Sequence, residues 1–503
     1  MIKDYFLFTT TSGNRYCFHR RRGTVLWCHP LLYHAITLHR AGQSADEWFA
    51  SFHGDFVHLD DKLFARSDAE LAQRRFLLLR QNGFFSETSE EEAVLSLSAR
   101  LSASDIETAL ATTPQVVFEL TERCNLRCDY CYFGYHYIQS GPRSDQDLDF
   151  ATAKTLLDYL VRLSPAPPGS GPSRRLAVAF FGGEPLLPFS LLQQIVGYAR
   201  SVFGERARFQ IVTNGLLLPE RWDFLVRNDF DLLISLDGDE TCDAYRRFKD
   251  GTPSYEGVIR NVRALRERHP SYFERHVSFN AILTDRGSVN SVRNFFAEEF
   301  GKSPMISTLM ERNLKPGDRA SWTTMVGDAS ADGARADAPP EAARKMLVEL
   351  SMPSMARRFL SQHAPCRFGN SLDALLPQPD VRMPTGVCRP FENKVFLTAR
   401  GEILPCEQID RCHALGRVSA TAVDLDFDSV AAMYNRSFDR VRATCRSCLQ
   451  AFDCLQCIFN LDLKQPRIEC SLAPSEEEYS GWIVEVIDYL ELNGSNISED
   501  QGI

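Results

Sequence analysis

Strand and helix patterns alternate six times between residues 113 and 310, and this alternation constrains the fold more than any other feature of the sequence. Short runs rich in β-branched and aromatic residues predict the strands. They read QVVFELT, LAVAFFG, RFQIVTN, DLLISLD, VSFNAIL and PMISTLM. Segments with apolar residues every three or four positions separate these runs and predict helices. Six consecutive βα units predict a parallel sheet that curls towards a barrel, short of the eight units of a closed TIM barrel.

Ligands of such sheets bind at the carboxyl ends of the strands. Each of the first four predicted strands is followed by a short motif of cysteine, glycine or polar residues. The motifs are ERCNLRCDYC (Glu122–Cys131), GGEP (Gly182–Pro185), TNG (Thr213–Gly215) and SLDG (Ser235–Gly238). TNG and SLDG are also ordinary turn sequences, so a purely structural role stays open for them. Because parallel strands end at one edge, we expect all four motifs to line the same rim.

The first motif contains three cysteines, Cys124, Cys128 and Cys131, in a C-x3-C-x2-C spacing with no fourth cysteine nearby. A structural zinc site usually closes its tetrahedron with four ligands. Three thiolates can instead hold three irons of a [4Fe–4S] cube and leave the fourth iron open to another ligand. The triplet therefore favours an iron–sulfur cluster over zinc.

A C-x3-C-x2-C triplet after the first strand of a six-unit barrel resembles the radical S-adenosylmethionine (SAM) superfamily. The resemblance implies a partial (β/α)6 TIM-type barrel whose open iron binds the amino and carboxylate groups of SAM. It also implies that an electron from the cluster cleaves the sulfonium and yields a 5′-deoxyadenosyl radical. The protein then supplies binding and orientation for cofactor chemistry.

The same resemblance assigns SAM contacts to the rim. Tyr130 lies where the family places an aromatic beside the adenine, although a packing role is open to it. Gly182 and Gly183 let the backbone approach the methionine end, because they lack a Cβ. Glu184 is a carboxylate suited to the SAM ammonium.

Later strands add further predicted contacts. Ser235 and Asp237 lie where the family contacts the ribose or the methionine moiety. Arg246 is placed to pair with the SAM carboxylate, and Arg247 is the alternative. Asn214 and Asn280, at the ends of later strands, are additional candidates.

Seven cysteines near the C-terminus form a second group: Cys388, Cys406, Cys445, Cys448, Cys454, Cys457 and Cys470. Their spacing resembles the SPASM extension of peptide- and protein-modifying radical SAM enzymes, except that two residues, not three, separate the last pair of the quartet. The resemblance implies two auxiliary [4Fe–4S] clusters. Cys388, Cys406 and Cys457 belong to the first, and Cys445, Cys448, Cys454 and Cys470 belong to the second. A zinc ribbon is the alternative for the paired C-x2-C spacings, but it leaves the other three cysteines unexplained.

Two cubes fully bound by protein need eight ligands, and the pattern supplies seven. We predict that Cys366, in an irregular Pro-flanked segment upstream of Cys388, is the eighth ligand. Cys412, six positions after Cys406, is the alternative. An open iron that binds a substrate thiolate is the third possibility.

Five segments are expected along the chain. Residues 1–110 predict a small α+β domain that resembles the leader-peptide-recognition domain of peptide maturases. Residues 111–312 form the barrel, 313–349 a linker low in large apolar residues, and 350–475 the SPASM domain. Residues 476–503 carry a final helix with a capping box at Ser475 and Glu478. The expected fold class is therefore α/β with two smaller accessory domains.

The expected function is that of a radical SAM peptide maturase that forms a thioether or carbon–carbon crosslink in a ribosomally made precursor peptide. The alternative is an enzyme similar to anaerobic sulfatase maturases, which oxidise Cys or Ser to formylglycine. Those enzymes place an acidic base after the cysteine equivalent to Cys406, where this chain has Glu407. A non-catalytic scaffold would need a degenerate triplet, and this triplet is intact.

Composition narrows the partners and the compartment. The net charge of −10 over 503 residues argues against nucleic acid as the main partner. The N-terminus lacks a signal-peptide layout, and the longest apolar run near the middle, LAVAFF, cannot span a membrane. The sequence has fifteen cysteines, and in a reducing compartment their clustered spacings indicate metal or iron–sulfur ligation and not disulfides. We expect a cytoplasmic enzyme whose partners are a precursor peptide and an electron donor such as flavodoxin or ferredoxin.

Overall fold

The structure is a computed structural model that describes residues 4–20, 22–85, 96–134, 136–137, 144–163, 175–309, 314–327, 382–384, 389–451, 454, 456–470 and 473–499. Cys366 and Cys388 lie outside the described residues, so their predicted roles stay predictions. The chain divides into two compact units. Unit 1 comprises Met1–Arg100, Ala338–Val387 and Arg436–Ile503, and unit 2 comprises Leu101–Asp337 and Cys388–Asn435.

The strands within the described residues are β1 Tyr5–Thr9, β2 Arg15–His19, β3 Thr24–Trp27, β4 Phe56–Leu59, β5 Lys62–Ala65, β6 Gln115–Thr121, β7 Leu176–Gly182, β8 Ala207–Thr213, β9 Asp231–Ser235, β10 Val277–Leu283, β11 Met305–Thr308, β12 Val395–Leu397, β13 Glu402–Leu404, β14 Gly416–Val418 and β15 Val423–Asp424.

The α-helices are α1 Pro30–Arg40, α2 Ala45–Ala50, α3 Arg66–Gln81, α4 Ala103–Thr112, α5 Phe150–Leu163, α6 Phe189–Phe203, α7 Leu218–Arg227, α8 Tyr255–Arg268, α9 Pro270–His276, α10 Val289–Phe300, α11 Arg319–Thr323, α12 Phe427–Cys445 and α13 Glu476–Glu499. No helix in the described part of the chain is both long and apolar enough to cross a bilayer.

Unit 2 is built on the six parallel strands that the sequence predicts. Strands β6 to β11 are neighbours in chain order. A row of stacked, fully buried rings from Phe118, Phe180, Phe209 and Phe230 packs along the sheet. The predicted (β/α)6 arrangement is confirmed, and the carboxyl ends of the strands share one rim.

The sheet continues beyond β6 through strands from the cysteine-rich region. β12 pairs in parallel with β6, where Phe396 lies opposite Val117. Strands β13, β14 and β15 then follow as an antiparallel meander. Cys406 lies two residues after the end of β13, so the barrel sheet positions this cysteine.

Unit 1 contains a three-stranded antiparallel sheet with the order β1-β2-β3. One face packs on α1 and α3 through a core that includes Leu26, Ile36 and Phe76. The other face packs on α13, where Ile483 and Val486 are fully buried. α13 begins with the predicted capping box. The Ser475 N–H donates to the Glu478 carboxylate, and the Glu478 N–H donates to the Ser475 hydroxyl. The C-terminal helix thus completes the N-terminal sheet.

Candidate active site at the carboxyl ends of the strands

The four motifs lie where the sequence places them, after β6, β7, β8 and β9 of one sheet. The cysteine loop follows β6, and its turns are closed by backbone hydrogen bonds. Cys131 N–H donates to the Cys128 carbonyl at 3.2 Å, and Gly134 N–H donates to the Cys131 carbonyl at 2.6 Å. The loop therefore has a defined backbone on which the three thiols are held.

The three thiols lie close enough to influence one another. Burial raises the pKa of the Cys128 thiol to about 12; Arg246 opposes this shift, and Cys131, Asp237 and Cys124 add to it. Bound iron would hold these sulfurs as thiolates, since a metal ligand must be deprotonated. Three neighbouring sulfurs are therefore available as ligands.

The donor set fits a cluster. Within the described residues, no group of three His, Cys, Asp or Glu side chains is arranged to hold a single metal ion. The Leu126 N–H donates to the Cys124 sulfur at 3.4 Å, and such hydrogen bonds to ligand sulfurs are among the features that tune iron–sulfur clusters. Three cysteines fit three irons of a [4Fe–4S] cube, and each of the three thiols is partly exposed.

Side chains that the resemblance assigns to SAM form a buried network with one another. The Tyr130 hydroxyl donates to Asp237, which is fully buried. The other Asp237 oxygen accepts from Arg246 at 3.2 Å and from the Ile282 N–H at 2.9 Å. The Asp237 N–H donates to Asp243, whose pKa is raised to about 8 by burial and by Asp237. Asp237 therefore joins the cysteine loop to the ends of β9 and β10.

Glu184 is fully buried, and its carboxylate accepts hydrogen bonds from residues at the end of β8. It accepts hydrogen bonds from the Leu186 amide at 3.0 Å, the Thr213 hydroxyl at 2.9 Å and the Asn214 amide at 2.8 Å. Burial raises its pKa to about 7, and these hydrogen bonds oppose the shift. Both oxygens are thus engaged within the protein.

Gly182 and Gly183 allow β7 to approach the cysteine loop. A Cβ on Gly183 would lie well under 3.0 Å from the carbonyl of Arg123, and a Cβ on Gly182 would meet the carbonyl oxygen of Thr121. Gly182 also has a φ of 135°, a conformation that favours glycine. The two glycines therefore pack directly against the backbone that leads into Cys124.

Asn214 ties the third strand end to the same loop. Its Nδ2 donates to the Asn125 Oδ1 at 2.7 Å, and its Oδ1 accepts from the Leu216 amide at 3.1 Å. With Glu184, it links β8 to the residue that follows Cys124.

The remaining predicted contacts lie on later strands. Ser235 and Asn280 are register partners on β9 and β10, and both are half-buried. The Asn280 Oδ1 accepts from the Ser307 hydroxyl at 3.2 Å. Arg247, the alternative to Arg246, lies 3.5 Å from Asp129 and is half-exposed. The structure thus brings every predicted rim residue to one end of unit 2, while their contacts with SAM stay predictions.

Comparison with known families agrees with this geometry. Residues 118–283 match the Radical SAM superfamily model, a span that includes the triplet and the ends of β6 to β10. Unit 2 contains a radical SAM domain. A radical SAM domain implies SAM and a [4Fe–4S] cluster as cofactors.

Curated relatives match the radical SAM domain over part of their length. An uncharacterised protein of Methanocaldococcus jannaschii is 32% identical over 153 residues, 30% of this chain and 48% of that protein. The radical SAM cyclopropyl synthase TigE of Paramaledivibacter caminithermalis is 22% identical over 36% of this chain and 39% of the enzyme. The serine-type anaerobic sulfatase-maturating enzyme of Bacteroides thetaiotaomicron is 30% identical over 29% of this chain and 34% of the enzyme. The chain therefore spans less than half the length of these relatives.

A solved structure of native anSMEcpe with bound AdoMet superposes with a TM-score of 0.47 at 16% identity. The superposition covers 77% of this chain and 99% of that chain.

The radical SAM domain has an apolar wall that the sequence analysis did not anticipate. Residues 314–327, assigned there to a linker, contain α11 and the buried Trp322. The Trp322 indole donates to the Tyr137 hydroxyl at 2.9 Å. Trp322, Met325, Tyr137 and Tyr130 form a cluster against which Cys128 packs. The only sequence signal was one tryptophan in a polar stretch, which local periodicity cannot place.

Cys406 and Glu407 lie beside the same domain, at the end of β13. Burial raises the pKa of the Cys406 thiol to about 12, and the Glu407 carboxylate adds to the shift. The Glu407 oxygens lie 3.0 and 3.1 Å from the Lys394 ammonium. Cys412 is exposed in the short turn Arg411–His413. Glu407 thus has a thiol on one side and an ammonium on the other.

The predicted second auxiliary site is a cavity in unit 1, lined by Cys445, Cys448, Cys454 and Cys470. The pKa of the Cys445 thiol is raised by burial and then by the three other cysteines. The Gln456 N–H donates to the Cys454 sulfur at 3.3 Å. Four cysteines that line one cavity match the number of protein ligands of a [4Fe–4S] cube. Cys457 also belongs to unit 1.

Proposed function

We propose that the protein is a radical SAM peptide maturase that removes a hydrogen atom from a residue of a ribosomally made precursor peptide and forms a thioether or carbon–carbon crosslink. Supporting observations are the radical SAM domain, the four-cysteine cavity and the N-terminal sheet. The observation that carries the proposal is the edge position of β3 in the N-terminal sheet, since β2 is its one neighbouring strand among the described residues.

β3 has a neighbouring strand on one side alone among the described residues. The Cys28 N–H donates to the Arg15 carbonyl at 2.7 Å, which marks a hydrogen-bonded pair. Because such pairs alternate in antiparallel ladders, the backbone groups of Val25 and Trp27 point to the outer edge. Val25 is 2% exposed, so a peptide strand adds there by displacing what covers this edge. Main-chain hydrogen bonds then hold the peptide, and side-chain pockets give specificity.

α3 supplies such a side-chain surface next to β3. α3 packs on the sheet that contains β3, since Phe76 of α3 and Leu26 of β3 belong to one buried core. Leu71 and Leu78, seven residues apart on one helix face, are 45% and 41% exposed. The helix carries four arginines and two acidic residues. A leader peptide with apolar and acidic side chains complements this surface.

When the cluster and SAM are bound, they supply a 5′-deoxyadenosyl radical for hydrogen abstraction. The chain holds the cysteine loop against β7 through Gly183 and against β9 through Tyr130 and Asp237. Trp322 and Met325 exclude water beside Cys128, which protects a radical from side reactions. An electron donor such as flavodoxin or ferredoxin would reduce the cluster.

The test is incubation of the reduced enzyme with SAM and the short peptide encoded next to it. Formation of a crosslink removes two hydrogen atoms from the peptide, which mass spectrometry detects together with 5′-deoxyadenosine. Leu78→Glu should weaken leader binding and slow crosslinking, because it adds a negative charge to the α3 surface. Leu492→Glu is the matched control, since Leu492 is 75% exposed on α13. An unmodified peptide with wild-type enzyme that cleaves SAM would contradict the proposal.

The second candidate, formylglycine formation, is favoured by the Cys406–Glu407 pair and by the sulfatase-maturating relatives. Glu407 would act as the base, and Lys394 would stabilise its carboxylate. The Glu407→Gln variant distinguishes the two functions. It should abolish oxidation of a Cys or Ser sulfatase peptide and leave crosslinking of a precursor peptide unchanged. Oxidation of the sulfatase peptide by the wild-type enzyme would favour this candidate.

We further propose two auxiliary [4Fe–4S] clusters with the ligands given by the SPASM resemblance. Cys366 is proposed as the eighth ligand, and Cys412 is not. The exposure of Cys412 in its turn supports this choice. Wild-type protein should hold about twelve irons in three cubes. Loss of iron in Cys412→Ala, with Cys366→Ala unchanged, would reverse the assignment.

A further inference from the structure

A buried arginine of the N-terminal sheet holds the backbone of one predicted cluster cysteine. Arg20 follows β2, and its side chain is 3% exposed. Its Nη1 donates a hydrogen bond of 2.9 Å to the carbonyl oxygen of Cys448. The same carbonyl accepts from the Ala451 N–H at 3.2 Å, and the Cys448 N–H donates to the Cys445 carbonyl at 3.1 Å. The guanidinium therefore secures the turn that carries two of the four cysteines.

Asp4 holds Arg20 in the orientation that this contact needs. Nε and Nη2 of Arg20 lie 2.9 and 2.8 Å from the Asp4 Oδ1, and the Arg20 N–H donates to the Asp4 carbonyl at 2.9 Å. Asp4 is 2% exposed, so both charges of the pair are buried. A buried guanidinium needs such a partner. With Nε and Nη2 engaged, the planar fork directs Nη1 towards Cys448.

The contact is reinforced by packing from the same sheet. Leu449, which follows Cys448, packs against the core formed by Phe6, Phe18 and α13. Residues far apart in the chain thus meet around one side of the four-cysteine cavity. The N-terminal sheet forms part of the wall that supports the cysteine loop.

We propose that Arg20 is a positioning residue for the iron–sulfur cluster of Cys445, Cys448, Cys454 and Cys470. It fixes the backbone of Cys448 and directs the Nη1 end of the Asp4–Arg20 pair at the ligand loop. The proposal rests on the proposed function, which assigns a cluster to these cysteines. Net charge and hydrogen bonding near a cluster set its reduction potential, so Arg20 should favour the reduced, more negative form.

The test uses the full chain in which the three cysteines of the first motif are replaced by alanine, so that iron reports on auxiliary sites. Arg20→Met and Arg20→Lys are compared in this background. Arg22→Lys is the matched control, because Arg22 donates to the Asn82 carbonyl at 2.6 Å, away from the cavity. Iron and sulfide per chain are measured after anaerobic reconstitution, and midpoint potentials by EPR-monitored titration.

Arg20→Met should lose about four irons per chain, one cube. Arg20→Lys keeps the positive charge but loses the fork that reaches the Cys448 carbonyl, so it should keep iron and shift the midpoint potential downward through the lost hydrogen bond. Arg22→Lys should match the background in both. Unchanged iron and potential in both Arg20 variants would overturn the proposal. Should Arg20→Met fail to fold, the potential of Arg20→Lys decides alone, and an unchanged value overturns it. A background protein without auxiliary iron would refute the proposed cluster instead.

Discussion

Replacement of Gly183 by alanine tests the packing of the cysteine loop on β7. The added Cβ would lie well under 3.0 Å from the Arg123 carbonyl carbon and oxygen and 3.0 Å from the Cys124 nitrogen. These neighbours are backbone atoms and cannot rotate away. The two segments must separate by on the order of 1 Å, and a displacement of that size costs about 100-fold in rate when it misplaces reacting groups.

The separation also disturbs two hydrogen bonds. The Gly183 N–H donates to Thr121 O at 2.8 Å, and the Glu184 N–H donates to Arg123 O at 2.9 Å. Overpacking costs about 1–3 kcal/mol, and each lost hydrogen bond about 1 kcal/mol. With both hydrogen bonds lost, we expect Gly183→Ala to lower the free energy of unfolding of unit 2 by about 3–5 kcal/mol.

The assay measures urea unfolding, iron content and 5′-deoxyadenosine formation without peptide. Gly197→Ala is the matched control, since Gly197 lies within α6 and its added Cβ would meet nothing within 4 Å. Alanine should stabilise that helix by about 1 kcal/mol. Wild-type stability, iron content and SAM cleavage in Gly183→Ala would refute the inferred contact between the loop and β7.

Three further perturbations have defined outcomes. Burial raises the pKa of Glu184 to about 7 in the folded state, so the stability that its protonated form contributes is present below pH 4.5 and is lost as pH rises to about 7. Glu184→Gln should flatten the dependence of the unfolding free energy on pH, measured by urea titration. An unchanged pH dependence in the variant would exclude this carboxyl as its source. Joint replacement of Cys124, Cys128 and Cys131 by alanine should abolish SAM cleavage and leave auxiliary iron bound; undiminished 5′-deoxyadenosine would contradict the radical SAM mechanism. Ile483→Ala should destabilise unit 1 by about 2–5 kcal/mol in urea, because the residue is fully buried against the N-terminal sheet; a change below about 0.5 kcal/mol would contradict that packing.

The barrel strands were predictable because their signals are local. Three of the six predicted strands, beginning at Gln115, Leu176 and Val277, have the predicted bounds. The predicted third and fourth strands extended past the true ends at Thr213 and Ser235. Those last residues carry the rim side chains, and turn residues after a buried strand do not differ in periodicity from the strand itself.

The partners of the rim side chains were not predictable in the same way. Asp237 and Arg246 stand out in the sequence as charged residues after a strand. Their partners, Tyr130 and Asp243, depend on how β9 approaches the cysteine loop. The sequence pattern around a charged residue is the same whether its side chain binds a ligand or pairs with another residue of the protein.

The sequence alone determined the six-unit barrel, the iron-binding spacing of the first cysteine motif and the capped final helix, because periodicity, ligand spacing and capping act over a few neighbouring residues. Only the tertiary structure decided that β12 extends the barrel sheet, that α13 covers the N-terminal sheet, and that Arg20 reaches Cys448. These contacts join residues hundreds of positions apart. They arise from complementary shape and buried charge pairing, which local sequence patterns do not encode.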